Sequence, residues 1–119
     1  LNMKKVLVLF SGFLTLFFLV QCSSGKKAGK ASAPRITYEN SLTPIIMDNC
    51  VPCHVPSKGG NKKPYDNYQN VKTDIDEIIR RIELEPGQRG FMPFKKQAKL
   101  SDSLINVFKQ WKDTGLKEK

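Results

Sequence analysis

Two thiols and the only imidazole of this chain stand within five residues, Cys50-Val51-Pro52-Cys53-His54. On a helical turn, residues three and four apart share a face, with about 5–6 Å between their Cβ atoms. Cys50 and Cys53 can therefore present paired sulfurs along one edge. His54, four residues from Cys50, can swing its ring nitrogen into the same space. A chain that gathers its soft ligands in one turn has to fold around whatever that turn holds.

Thiols add across the vinyl groups of a porphyrin, and a neutral imidazole nitrogen is a good iron ligand. The C-x-x-C-H spacing is the signature of c-type haem attachment. Three other chemistries use similar residues. A structural zinc site wants four Cys or His ligands, and this chain has three here with no second C-x-x-C. A thioredoxin-like dithiol also uses C-x-P-C, but that fold alternates strands with helices and leaves His54 without a role. A Cys50–Cys53 disulfide closes so small a loop that it stabilises little. The haem reading alone uses all three side chains: Cys50 and Cys53 attach one haem c covalently, and His54 ligates its iron. Zinc, dithiol and disulfide stand as the alternatives.

The third cysteine ends a different kind of segment. Met3, Lys4 and Lys5 make a positive start, and an apolar or small-residue run follows from Val6 to Val20. Its 15 residues fall short of the about 20 that a membrane span needs, and match the apolar core of an export signal. Leu19-Val20-Gln21-Cys22 then resembles the lipobox of bacterial lipoproteins, whose cysteine becomes the lipidated first residue. Gln21 departs from the small residue usual there, so a signal peptide cut nearby and an uncleaved anchor stay open. The predicted organisation is a signal peptide over 1–22, a flexible basic tether over 23–35 and one domain over 36–119.

Charge follows the same division. Lys26, Lys27, Lys30 and Arg35 lie in the tether, whereas residues 36–119 carry 14 basic and 11 acidic groups, a net of +3. Basic charge in a leash suits anionic lipid headgroups, at about 1 kcal/mol per residue. The lysines of the domain are scattered and lack interleaved stacking aromatics, so the sequence carries no nucleic-acid footprint.

A domain of this size buries a modest core and commonly recruits a metal or cofactor as a staple. Helical signals fill it. Thr43-Pro44 reads as N-cap and first helical position, leading through Ile45, Ile46 and Met47 into Cys50. Residues 55–66 read as a loop, with a short helical piece near Asn67–Val71. Asp74 then reads as the cap of a second helix with Ile75, Ile78, Ile79 and Ile82 on one face, ended by Glu85-Pro86-Gly87. Residues 84–100 form a loop around Phe91-Met92-Pro93-Phe94. Ser101 caps a last helix bearing Leu104, Ile105, Phe108 and Trp111, and Gly115 stops it. No period-2 strand and no internal repeat is visible. The predicted class is all-α and cytochrome c-like, with three or four helices wrapped around one covalently attached haem.

The residues narrow the second axial ligand. His54 is the only histidine, Met3 lies in the leader, and Met47 is three residues before Cys50 on the same helix. Met92 is 38 residues beyond His54, in a loop with Phe91 and Phe94. That cluster is expected to pack both rings over the distal face, with the metal as the loop's main tether. A lysine such as Lys95 or Lys96, or an open position, is the alternative.

The segments TYENSLTPIIMDNCVPCH, YDNYQNVKTDIDEIIRRIE, FMPF and LSDSLINVFKQWKDTG cover most of residues 37–116. They resemble the small bacterial cytochrome c domains of exported proteins. The resemblance implies crossed first and last helices, a haem in a helical cup, and the methionine of the Met-Pro segment as distal ligand. Here that means Cys50, Cys53, His54 and Met92, with Phe108 and Trp111 packed toward the first helix and the haem. The expected function is one-electron transfer on the periplasmic side of a bacterial membrane, by a monomer anchored through a lipid on Cys22. Its expected partners are periplasmic or membrane redox proteins. No catalytic acid–base set is visible, so a carrier is expected and not an enzyme. A gas-binding or sensing module is the alternative if Met92 does not ligate iron.

Overall fold

The computed structural model describes residues 34–119; the leader-like run, Cys22 and residues 23–33 of the tether lie outside them. The first helix starts earlier than Thr43-Pro44 predicts. The Thr37 hydroxyl accepts from the Asn40 N–H at 3.3 Å, and the Asn40 side chain accepts from the Thr37 N–H at 3.1 Å, a reciprocal capping box. Tyr38–Leu42 form a π-helical stretch that runs directly into α1, Thr43–Asn49. Thr43 is therefore not the cap: its N–H and its hydroxyl both donate to the Tyr38 carbonyl. Pro44 explains the change of register. It donates no backbone hydrogen bond, so the ladder passes from i→i−5 to i→i−4 across it without stranding a donor. Tyr38, Leu42, Ile45 and Ile46 are buried, a stripe at i, i+4, i+7 and i+8.

The second helix, α2, is continuous over Tyr68–Ile82, and the Asn67 side chain caps it by accepting from the Asn70 N–H at 3.0 Å. The short piece expected at 67–71 and the helix expected from Asp74 are one element. Val71 extends the stripe of Ile75, Ile78 and Ile82 back by a turn, and all four are buried. Asp74 is thereby released from capping. The third helix, α3, runs over Asp102–Asp113 behind Ser101, whose hydroxyl accepts from the Leu104 N–H at 3.4 Å. It buries Ile105, Phe108 and Trp111. Gly115, at φ 97°, takes the left-handed conformation that lets the chain turn back. Among the described residues there are three α-helices, the π-helical stretch before the first, a single 3-10 turn at Pro56–Lys58 and no strand, an all-α architecture.

The C-terminal residues close the fold. Tyr38 and Glu39 donate their N–H groups to the carbonyls of Lys117 and Glu118 at 2.9 and 3.0 Å, satisfying donors that a helix start leaves open. The Trp111 indole N–H donates to the Lys117 carbonyl at 2.7 Å, and the Tyr68 hydroxyl to the Leu116 carbonyl at 2.9 Å. The rings of Tyr38, Tyr68 and Trp111 meet tilted or edge-on, with centroids 5.8–6.4 Å apart. Such contacts add about 0.5–1.5 kcal/mol each beyond burial, and here they join the start of the first helix to α2 and α3.

Candidate cofactor site

Cys50 caps the C-terminus of α1. Its N–H reaches the Ile46 carbonyl at 2.8 Å, and its own carbonyl accepts from the His54 N–H at 3.0 Å, so residues 50–54 make one further turn of helical size. Both thiols are free, and both line a cavity of about 730 Å³, within the ~300–1,000 Å³ of typical small-molecule and cofactor sites. His54 and Met92 line the same cavity, whose apolar walls include Ile46, Ile78, Ile82 and Phe108. The four site residues expected from the sequence are thus brought together, and Met47 is not among the residues lining that space. Burial pushes the Cys50 thiol up to about 11, against a smaller opposing pull from Lys96.

The loop after the motif folds back beneath it. The Lys62 N–H donates to the Cys53 carbonyl at 3.0 Å. This return needs glycine at position 60, where a Cβ would stand 2.1 Å from the Pro52 carbonyl oxygen and 2.6 Å from that of Cys53. His54 is then gripped from the following residues. Its Nδ1 lies 2.8 Å from the Lys63 carbonyl oxygen. A carbonyl can only accept, so Nδ1 is the donor, and in the neutral ring Nε2 is the nitrogen with the lone pair. The Tyr65 ring lies parallel to the imidazole, 4.3 Å between centroids at 4°. The Tyr65 N–H donates to the His54 carbonyl at 2.8 Å. Asp74, on α2, pairs with Lys63 at 2.7 Å and accepts from the Tyr65 hydroxyl at 3.3 Å. Burial, followed by the Asp74 carboxylate, pushes the Tyr65 hydroxyl up to about 12.

Sequence reasoning missed this support. A carbonyl acceptor at Lys63 leaves no side-chain signature, and Asp74 reads as a helix cap when Val71 is not counted into the stripe.

The loop with Met92 is held by the protein itself. The Met92 N–H donates to the Arg81 carbonyl at 3.2 Å, and Phe91 and Leu100 are buried. Lys99 pairs with Glu85 at 2.9 Å, and the Lys96 Nζ donates to the Asn49 side chain at 2.8 Å. Of the two phenyl rings expected over the distal face, Phe91 is buried but does not line the cavity. Phe94 is 78 % exposed at the edge of the cavity, because the turn over Pro93–Lys96, closed by Lys96 N–H on the Pro93 carbonyl at 3.0 Å, carries it outward.

Against known protein families, curated proteins and solved structures, the chain has no match.

Proposed function

We propose that this protein is a periplasmic one-electron carrier, a c-type cytochrome whose single haem is attached through Cys50 and Cys53 and ligated by His54 and Met92. The observation that carries this reading is the shared cavity. Both thiols, the sole histidine and Met92 line one space of about 730 Å³, although Met92 is 38 residues beyond His54.

The donor set fits the group. A bare ion needs ligands converging on a point, and among the described residues no three His, Cys, Asp or Glu side chains do so. A porphyrin spreads its sulfur attachments along an edge and brings its own equatorial nitrogens. When bound, haem supplies a one-electron iron couple. The Cys50 and Cys53 thiols would hold it through thioether bonds to its two vinyl groups. His54, with Nδ1 committed to the Lys63 carbonyl, would offer Nε2 to the iron. The Met92 sulfur would be the second protein ligand, and histidine–methionine ligation raises the potential. Ile46, Ile78, Ile82 and Phe108 give that space apolar walls suited to the porphyrin. With His54 and Met92 both held to the iron, no position would be open to a substrate.

Lys4-Lys5, the run to Val20, Cys22 and the basic tether support a lipid anchor on the periplasmic side of a bacterial membrane, facing redox proteins there. Among the described residues no helix is long and apolar enough to cross a membrane. The Cys22→Ser variant is expected to leave the membrane fraction. A wild-type protein found wholly in the soluble periplasmic fraction refutes the anchor.

The decisive experiment is production with a cytochrome c maturation system. Intact mass should exceed that of the polypeptide by one haem, and the oxidised spectrum should show the weak long-wavelength sulfur–iron band. Haem that extracts into acidified organic solvent overturns covalent attachment. Wild-type protein that binds carbon monoxide readily overturns the Met92 ligand and supports the gas-binding alternative.

A further inference from the structure

We infer that Asp74 is a positioning residue, fixing the plane of the His54 ring through Lys63 and Tyr65. The inference rests on the haem reading above, because the ring plane has a functional consequence only when the ring ligates a metal.

Two contacts set how the His54 imidazole is rotated about its own bonds. Its Nδ1 donates to the Lys63 carbonyl at 2.8 Å. Its face lies flat against Tyr65 at 4.3 Å and 4°. Both come from the three-residue segment Lys63-Pro64-Tyr65, whose path therefore decides the ring's orientation. Helix α2 holds that segment at three points. Asp74 Oδ1 takes the Lys63 Nζ at 2.7 Å, Asp74 Oδ2 takes the Tyr65 hydroxyl at 3.3 Å, and the Asn70 side chain donates to the Pro64 carbonyl at 2.9 Å. Pro64 itself has its φ fixed by its ring. One carboxylate thus spends an oxygen on each of the two residues that touch the imidazole.

A surface ion pair is a weak stabiliser, so stability alone gives little reason for this arrangement. The Asp74 side chain is 23 % exposed and lines the cavity, whereas Asp76, two residues on, is 78 % exposed and pairs with Lys112. Ring orientation and the Nδ1 hydrogen bond are how outer groups tune a metal-bound histidine. Asp74 reaches both, without being a ligand.

The test is the proton NMR spectrum of the oxidised holoprotein, in which the order and spread of the four haem-methyl shifts report the orientation of the axial ligand planes. Tyr65→Leu removes the stacked ring and should change the pattern most. Tyr65→Phe keeps the ring and removes only the link to Asp74; this variant and Asp74→Asn should each change the pattern in the same sense, by less. Lys63→Met combined with Asp74→Asn should move the pattern no further than Asp74→Asn alone, since that change already breaks the Lys63 link. Asp76→Asn, removing a carboxylate from the same helix, should leave it at wild type. An Asp74→Asn protein whose reduction potential shifts while its methyl pattern stays wild type makes Asp74 merely a nearby charge and overturns the inference. Wild-type protein without covalent haem overturns the functional reading as well. Haem attached normally in every variant, with one unchanging pattern, overturns only the role of Asp74.

Discussion

The Lys96 Nζ donates to the Asn49 side-chain oxygen at 2.8 Å, latching the loop that carries Met92 to the residue immediately before Cys50. With the Met92 N–H on Arg81 and the Phe91 ring in the core, the loop has three holds that do not use the thioether. Ligation and loop order are therefore separable.

That separation makes Met92→Ala informative. The variant should keep covalent haem, open the iron to carbon monoxide and lower the reduction potential, because a potential-raising soft ligand is lost. Its unfolding free energy should fall by about 2 kcal/mol, the low end for Met→Ala, because Met92 is only partly buried. Met47→Ala should leave the visible spectrum unchanged. A Met92→Ala protein that keeps the wild-type spectrum and stays closed to carbon monoxide would pass the ligand role to Lys95 or Lys96.

The two phenylalanines flanking Met92-Pro93 should behave oppositely in chemical denaturation. Phe91 is 6 % exposed and Phe94 78 %. Phe91→Ala should cost about 3–5 kcal/mol, and Phe94→Ala should stay within about 0.5 kcal/mol of wild type. Equal losses would show that Phe94 packs against the core in solution.

The contrast between these rings shows what sequence could carry. Periodicity identified α3 to its Ser101 cap and the inward face of α2, because a buried stripe repeats along a helix. Boundaries failed where two residues compete for one role: Thr37 and Thr43 are both good caps, and so are Asn67 and Asp74. The partner decided each case, the Asn40 side chain for Thr37 and the Asn70 N–H for Asn67. Cys50, Cys53, His54 and Met92 were legible as chemistry, since each residue type is scarce in the chain. The grip on His54 was not, because it is built from a main-chain carbonyl and a ring that any core could have used.

Before haem is attached, the Cys50 thiol should resist alkylation. Burial raises it from 9.0 to about 11, so the native fold favours the neutral thiol. This preference stabilises the fold fully below pH 9 and is lost as pH rises through about 11. Iodoacetamide labelling followed by peptide mass spectrometry should show Cys50 reacting slowly at pH 8 in folded polypeptide and readily in urea. Equal rates in both conditions would refute the buried thiol.

Gly60 and Gly59 separate two reasons for glycine in neighbouring positions. Gly59 has φ 85° and open space around it, so Gly59→Ala meets only backbone strain, about 1 kcal/mol. Gly60 has no such φ, but a Cβ there would lie 2.1 Å from the Pro52 carbonyl oxygen and 2.6 Å from that of Cys53. Both atoms are backbone, so the clash cannot be relieved by turning a side chain. The chain must move either the loop that supplies the Lys63 carbonyl or the turn that bears the thiols. Gly60→Ala should therefore cost about 3 kcal/mol, the upper end for overpacking. It should also reduce the yield of covalent haem relative to Gly59→Ala, read by intact mass and by absorbance per polypeptide. A Gly60→Ala protein with the stability and haem content of the Gly59→Ala protein would mean that the loop does not pass beneath Cys53 at the distance seen here.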